Sequence, residues 1–279
     1  MRNKAKLLLF AASICAAPFF SCQKDNTNLR SSLAAGQNVD NAVADSVTDS
    51  SLNRGLVAWY TFNGDVLDHS GNHNDVIFNS AYITVGKSGL PKTAYRFDGT
   101  NSYMQVANSK SINPLKISLY ALFKPGGFYQ GVCHSNRMIC KGFNDHANGR
   151  YLLGYDDQPY YDYLGCNQVV QSKYETFYCG YGDGGNASGT IDTTQYVKNG
   201  QWYSMVYTFD GVYSKLYING VLVSKVNRYT TFTPNTNSLF IGKNEDPQYP
   251  YFFKGIIDEV RIYKRVLNQS EVTALYNKK

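Results

Sequence analysis

From residue 55 onward, apolar and polar residues alternate with a period of two, broken by glycine and asparagine. The pattern is cleanest at Trp202–Phe209. There Tyr203, Met205, Tyr207 and Phe209 make one apolar face, as a half-buried strand requires. Asp210-Gly211 turns the chain, Lys215–Ile218 forms the next strand, Asn219-Gly220 turns it again, and Val221–Lys225 forms a third. Asp-Gly and Asn-Gly between alternating runs are strong hairpin signals, so the stretch predicts a three-strand meander. Further strands are predicted at Leu56–Phe62, Tyr95–Phe97, Tyr103–Val106, Met138–Lys141, Arg150–Tyr155, Tyr174–Tyr181, Ser238–Ile241 and Ile256–Tyr263. Short strands at this density with glycine-rich turns point to an all-β sandwich or barrel. One short helix is predicted close to the C-terminus: Asn268 and Glu271 stand at capping-box spacing, and Val272, Leu275 and Tyr276 follow at helical spacing.

The first 54 residues carry a different pattern. Arg2, Lys4 and Lys6 precede an apolar run, Leu7–Phe20, that is too short for a comfortable membrane span. Residues 1–21 therefore read as an export signal. Phe20-Ser21-Cys22, followed at once by polar Gln23-Lys24-Asp25, is similar to the lipobox of bacterial lipoproteins. That similarity implies cleavage before Cys22 and lipidation of Cys22; the alternative is an ordinary secretory signal with an incidental cysteine. Residues 22–54 are rich in Ser, Asn, Asp, Ala and Gln and hold no aromatic residue. Such a segment cannot bury enough surface to offset its ordering entropy, so it is expected to be a flexible tether to a domain over 55–279. The expected location is the outer membrane or cell surface.

Composition narrows the class. Charged residues are only 17%, against 24 Tyr, 24 Gly and 15 Phe. This argues against a helix bundle or coiled coil, which would be rich in Ala, Leu, Glu and Lys. Half of the +6 net charge leaves with the signal, and no Lys/Arg cluster stands out beyond the N-terminus. A nucleic-acid partner is therefore not expected. The four cysteines of the expected domain, Cys133, Cys140, Cys166 and Cys179, are an even number in an exported chain and predict two disulfides. Three pairings are possible; the sequence-local one, Cys133–Cys140 with Cys166–Cys179, is preferred. A zinc site is the alternative, although there is no Cys-x-x-Cys.

Several segments then converge on one family. They are Gly55-Leu-Val-Ala-Trp-Tyr-Thr-Phe-Asn-Gly64, Asp68-His-Ser-Gly-Asn72, Tyr95-Arg-Phe-Asp-Gly99, Trp202 through Gly211, Leu216-Tyr-Ile-Asn-Gly220, Phe253 through Tyr263, and Leu267 through Tyr276. In this order they resemble the laminin-G-like, concanavalin A-like lectin/glucanase jelly-roll domains of exported bacterial (Bacteroidota-like) lipoproteins. The resemblance spans nearly all of 55–279. It implies two curved antiparallel sheets, and it admits carbohydrate-binding modules, adhesion domains and glycosidases alike. The Tyr-, Gly- and Cys-rich region 126–189 looks longer than the family's usual middle and is where specificity is expected to lie.

Candidate sites follow. Period two places Asp258 with Ile256, Val260 and Ile262, and Glu259 and Arg261 with Ile257 and Tyr263. A carboxylate on the more apolar face needs a metal, a basic residue or backbone N–H donors. The resemblance implies a structural Ca²⁺ near the first and last strands, to which Asp68, Asn72 and Asn74 would add oxygen ligands; local Asx-turns are the alternative. His69 and His73 stand four apart in a turn without the helix or glutamate of a metalloprotease. Tyr155, Asp157, Tyr160, Tyr161 and Tyr163 form a ligand-binding candidate, because aromatic faces stack on sugar rings and carboxylates accept hydroxyl hydrogen bonds; Tyr174, Tyr178 and Tyr181 can join it. The alternative is that these tyrosines pack a sheet. Cys179 through Gly185 lacks the Lys-Ser/Thr of a phosphate loop and reads as a turn. No closely spaced carboxylate string of the kind glycosidases of this architecture carry is present, and no Ser-His-Asp arrangement announces itself. The expected function is a lipid-anchored, glycan-binding module without catalysis. The alternatives are a glycoside hydrolase of the same group and a protein-binding adhesion domain.

Overall fold

Among the described residues, fifteen strands pair into two antiparallel sheets that enclose one apolar core. The computed structural model describes residues 49–129, 131, 135–143, 148–156, 176–182, 188–227 and 233–278, all within the unit Ser46–Lys279. One sheet has eight strands, in the order β13 (Val221–Asn227), β12 (Tyr213–Ile218), β11 (Tyr203–Phe209), β6 (Ile117–Pro125), β15 (Lys254–Tyr263), β4 (Ala94–Asp98) and β3 (Tyr82–Thr84), with β1 (Leu56–Tyr60) also paired to β15. The other has seven: β10 (Ser188–Tyr196), β9 (Thr176–Gly182), β8 (Arg150–Asp156), β7 (Asn136–Lys141), β14 (Leu239–Ile241), β5 (Met104–Val106) and β2 (Val76–Asn79). The architecture is the expected jelly-roll sandwich.

Alternation places the core. Tyr203, Met205, Tyr207 and Phe209 all enter it, as period two predicts. At the β12–β13 turn Asn219 and Gly220 both have positive φ, 51° and 82°, the twist that a two-residue hairpin turn demands. The central strand β6 escaped the sequence reading. Its Ile-Ser-Leu-Tyr-Ala-Leu-Phe run is buried at every position, because Leu119, Ala121 and Phe123 face the core while Tyr120 and Leu122 join a second cluster on the outer face. A strand covered on both faces shows no alternation. Strands β2, β3 and β10 were missed for the opposite reason: β2 and β3 are largely exposed edge strands, and β10 is a mostly polar edge strand.

The second cluster is closed by two helices. Helix α2 (Gln269–Asn277) has the predicted capping box: Glu271 N donates to Asn268 Oδ1 at 2.9 Å, and Asn268 N to Glu271 Oε2 at 3.0 Å. Arg265 grips Glu271 with two 2.8 Å bonds and donates to the carbonyls of Ser51 and Arg54. It thereby ties α2 to the short helix α1 (Asp49–Asn53), whose Leu52 is buried in the same cluster. The described fold thus begins before Gly55, at α1. Cys22 and residues 1–21, where an export signal is expected, lie outside the described residues.

Two further expectations change. Residues 126–189 supply β7, β8, β9 and the start of β10, half of the seven-stranded sheet, and Cys179–Gly182 belongs to β9 rather than to a turn. In β15 the register to β6 shifts between Ile257 and Glu259. The bulge at Asp258 sends Ile257 into the core with Val260 and Ile262, so simple alternation misassigned Ile257. An extra residue flips every side chain on one side of it.

Candidate functional site

Of the five residues of the predicted ligand-binding cluster, the structure describes Tyr155. Tyr155 is fully buried in the core, stacked on Phe123 at 6.2 Å and edge-on to Phe128 and Phe253. Its outward neighbour Asp156 faces the other way. Asp157, Tyr160, Tyr161, Tyr163 and Tyr174 lie outside the described residues, while Tyr181 is core and Tyr178 lies on the outer face.

That outer face of the seven-stranded sheet carries a site the sequence reading did not find. Phe78, Gln105 and Phe240 stand side by side on β2, β5 and β14. After β14 the chain makes a loop, 242–253, that returns against β7. Phe253 N donates to Gly242 O at 2.9 Å, Arg137 N to Tyr251 O at 3.0 Å, and Gly242 N to Met138 O at 3.0 Å. Buried Asn244 braces the loop: its N–H donates to Pro250 O at 2.7 Å, its side-chain amide donates to Tyr249 O at 3.0 Å, and its carbonyl oxygen sits 3.1 Å from Cys140 Sγ. Gly242 has a φ of 89°, and a Cβ there would overlap the Phe97 ring, so only glycine lets the chain leave β14 in this direction.

The loop brings Tyr249, Tyr251 and Phe252 beside the sheet, and the rings, linked at two points by the cations Lys243 and Arg137, form one series of contacts. Phe78 meets Tyr103 at 4.8 Å and Tyr103 meets Phe240 at 6.0 Å. The Lys243 ammonium lies 4.6, 5.0 and 5.7 Å from the Tyr103, Phe240 and Phe252 ring centres. Phe252 meets Tyr129 at 6.5 Å, Tyr129 meets Tyr251 at 6.2 Å, and Tyr251 meets Tyr249 at 6.0 Å. At the far end the Arg137 guanidinium lies over both Tyr251 (4.9 Å) and Tyr178 (5.3 Å) and forms an ion pair with Asp156. Arg137 and Asp156 are buried, whereas Tyr103, Tyr129, Tyr178, Tyr249, Phe252 and Lys243 are half-exposed and Phe78 is exposed. The result is an aromatic strip with a buried ionic floor.

Electrostatics distinguish its members. Burial lowers the Lys243 ammonium and raises the Tyr129 phenol relative to their ordinary values. Burial also raises the Glu245 carboxyl, against the opposing pull of Asn237, Lys141 and Lys243. The sequence did carry one signal for the strip: Tyr249-Pro-Tyr-Phe-Phe253 puts four aromatic residues in a segment that proline bars from a central strand. Its partners Phe78, Tyr103, Tyr129 and Tyr178 are scattered, and no spacing rule joins them.

The proposed calcium ligands are placed differently. Asp68, Asn72 and Asn74 share one loop, but the oxygens of Asp68 and Asn74 are engaged. Asp68 Oδ1 accepts N–H bonds from Trp59 and Ser70, and Oδ2 accepts from Asn74 N and the Ser70 hydroxyl, all at 2.9 Å. Asn72 donates its amide to Leu56 O and Ser70 Oγ. Asn74 donates its amide to Val57 O and Ser111 Oγ, and its Oδ1 accepts from the Ser109 hydroxyl. Asp258 Oδ2 accepts from the backbone N–H of Lys87 at 2.6 Å, a partner of one of the three kinds expected. A carboxylate saturated by four donors presents N–H groups, not lone pairs, to a cation, so this arrangement does not fit the Ca²⁺ site that the resemblance implied. No group of three or more His, Cys, Asp or Glu side chains suited to a metal occurs among the described residues.

Cys133 and Cys166 lie outside the described residues. Cys140 faces outward on β7 and Cys179 faces the core on β9, with β8 between them. Two strand spacings are about 9–10 Å, beyond the roughly 7 Å reach of a disulfide, so these two do not pair with each other.

Comparison with known proteins agrees with this architecture. The family "Concanavalin A-like lectin/glucanases superfamily" matches residues 98–273. Domain 4 of AbnA, an extracellular GH43 arabinanase from Geobacillus stearothermophilus solved with arabinotriose, is 22% identical with a TM-score of 0.57, covering 80% of this chain and 98% of that one. The binding domain of Paraclostridial Mosquitocidal Protein 1 is 17% identical with a TM-score of 0.59, covering 81% of this chain and 53% of that one. A botulinum neurotoxin type C structure, reported with cell entry dependent on two ganglioside molecules, is 12% identical with a TM-score of 0.58, covering 83% and 53%. This chain thus spans about half of the two toxin chains. No curated protein sequence matches it.

Proposed function

The chain belongs to the concanavalin A-like lectin/glucanase superfamily, and from that premise we propose that it is a glycan-binding module of the bacterial outer membrane or cell surface, anchored through a lipid on Cys22 and acting without catalysis. The observation that carries the reading is the aromatic strip from Phe78 to Tyr178. Aromatic faces accept the C–H faces of sugar rings, while phenol hydroxyls and the Lys243 ammonium can bond sugar hydroxyls. The strip lies on the rigid framework of a sheet and a braced loop, so little ordering entropy is lost on binding. The arabinotriose and ganglioside associations of the similar structures are compatible with this reading. Most described carboxylates near the core are committed to structural bonds: Asp156 to Arg137, Asp68 to its own loop, Asp258 to Lys87 N, Glu259 to Trp59 and Arg261, and Glu271 to the helix cap.

The test is a glycan array on the full chain, followed by calorimetric titration of the best hit. Each ring contact is worth about 0.5–1.5 kcal/mol, so replacing Tyr103 and Phe252 together by alanine is expected to weaken binding about tenfold or more. Unchanged affinity in that variant would remove the strip as the site.

One observation favours a second reading, glycan cleavage. Glu245 has a raised carboxyl, the property of a general acid, and its Oε2 is buried with no hydrogen-bond partner among the described residues. Release of reducing sugar from a bound glycan, abolished by Glu245→Gln, would establish that reading in place of the first.

A further inference from the structure

The outer face of the eight-stranded sheet holds a second concave feature. On it Arg96 of β4, Ile256 of β15 and Lys124 of β6 lie side by side in register. Lys254, two residues before Ile256 on the same strand, adds a third cation. All four line a cleft of about 580 Å³, together with Asp98 and Asn199.

The three cations are held but not neutralised. Arg96 lies over the Tyr82 ring at 5.5 Å, and Lys124 over the Trp202 ring at 5.2 Å. The stem of Lys254 runs against Gly99 and Gly127, where a Cβ would crowd it. Among the described residues no ion pair engages Arg96, Lys124 or Lys254. The one carboxylate of the lining is already committed: Asp98 Oδ1 accepts the N–H groups of Thr100, Asn101 and Ser102 at 2.8, 3.0 and 3.1 Å. Burial alone would raise its carboxyl, but Ser102 and these N–H groups hold it well below the usual range.

We propose that this cleft binds an anionic saccharide, a uronate or a sulfate-ester sugar, through Arg96, Lys124 and Lys254. Neighbouring strands stand about 4.8 Å apart, so cations on three adjacent strands converge on a group that carries two or three acceptor oxygens, as carboxylate and sulfate do. The cleft volume suits a small ligand of one or two sugar rings, and Ile256 on its floor offers an apolar contact for a ring face. A membrane surface or a nucleic acid would call for an extended basic face, whereas these cations are confined to one cleft. The inference rests on the glycan-binding reading but places a separate subsite on the opposite sheet.

The test is calorimetric titration of the full chain with galacturonate oligomers and with chondroitin sulfate disaccharide, each against an uncharged galactose oligomer of equal length. Binding of either acidic sugar is expected. It should weaken about tenfold or more in Lys124→Gln/Lys254→Gln and weaken with added salt. The carboxylated and sulfated arms tell which anion the cleft takes. No heat with either acidic sugar, equal affinity for the uncharged oligomer, or unchanged affinity in the double variant would each overturn the proposal. So would stronger binding to anionic phosphatidylglycerol vesicles. If Tyr103→Ala/Phe252→Ala abolishes acidic-sugar binding while Lys124→Gln/Lys254→Gln leaves it intact, the ligand belongs to the aromatic strip and this proposal fails while the first stands.

Discussion

Replacing Arg137 by methionine probes the ionic floor of the aromatic strip. The Arg137 side chain is fully buried, its guanidinium lies 4.9 Å from the Tyr251 ring and 5.3 Å from the Tyr178 ring, and it pairs with Asp156, itself only 2% exposed. Methionine fills much of the volume but leaves Asp156 buried without its guanidinium. Breaking a buried pair on one side costs about 3–5 kcal/mol, and each desolvated cation–ring contact adds about 1–2 kcal/mol. A loss of about 5–9 kcal/mol is expected, comparable to the 5–15 kcal/mol typical of a whole domain. Equilibrium urea denaturation of wild type, Arg137→Met, Asp156→Asn and the double variant measures it. The double variant should be markedly more stable than the sum of the singles implies. Should Arg137→Met not fold, Arg137→Lys keeps the charge and loses the planar stacking, and about 1–2 kcal/mol is expected from it. A loss below about 1 kcal/mol in Arg137→Met, or strict additivity in the cycle, would refute the reasoning. Tyr251 is the link to function. It sits at a φ of 45°, unfavourable for a bulky residue; the backbone N–H of Arg137 holds its carbonyl, and the guanidinium that Arg137→Met removes holds its ring. Glycan affinity should therefore fall in Arg137→Met under conditions where the variant remains folded.

Gly242→Ala should destabilise by about 2–4 kcal/mol, since it combines a left-handed φ with overlap of the rigid Phe97 ring; a melting temperature unchanged within a degree would contradict the role given to that glycine. Burial by itself would raise the Glu271 carboxyl, but Arg265 and the Asn268 N–H outweigh it and hold it below its ordinary value of 4.5. Its contribution is therefore present above about pH 4.5 and lost as pH falls through the lower folded value. The stability difference between wild type and Glu271→Gln should shrink on acidification, as urea denaturation across pH 3–7 would register. Lys141 shows the opposite charge type: burial pushes its ammonium down to about 8 from 10.5, with Glu245 opposing, while its Nζ donates to Asn113 Oδ1 and Asn235 O. Its stabilising contribution is present above 10.5 and is lost as pH falls to about 8. Wild type should gain on Lys141→Met between those values, and a flat difference would argue against the shift.

What could be read from the sequence is what short-range rules encode. The meander of β11, β12 and β13, the Asn219-Gly220 turn and the capping box of α2 each depend on residues within a few positions of one another, so they were legible. The all-β class was legible because alternation reports which residues share a face. Alternation failed where its premise failed: β6 is covered on both sides, and the bulge at Asp258 shifts the phase of β15. The expected ligand-binding cluster included Tyr155, which lies in the core, because a strand shows two faces and period two does not say which one is core.

Position in the sheet is a different kind of information. Arg137, Asp156, Tyr178 and Tyr251 meet only because β7, β8 and β9 are neighbours and a later loop returns to β7. The chain has no cluster of Lys and Arg beyond its N-terminus, yet Arg96, Lys124 and Lys254 line one cleft because β4, β15 and β6 lie next to each other in register. The apolar and polar alternation of the chain determined that the domain would be all-β and which residues of a strand could share a face. Which outward residues became neighbours was decided only by strand order and register, since these follow from long-range pairing that leaves no local periodicity behind.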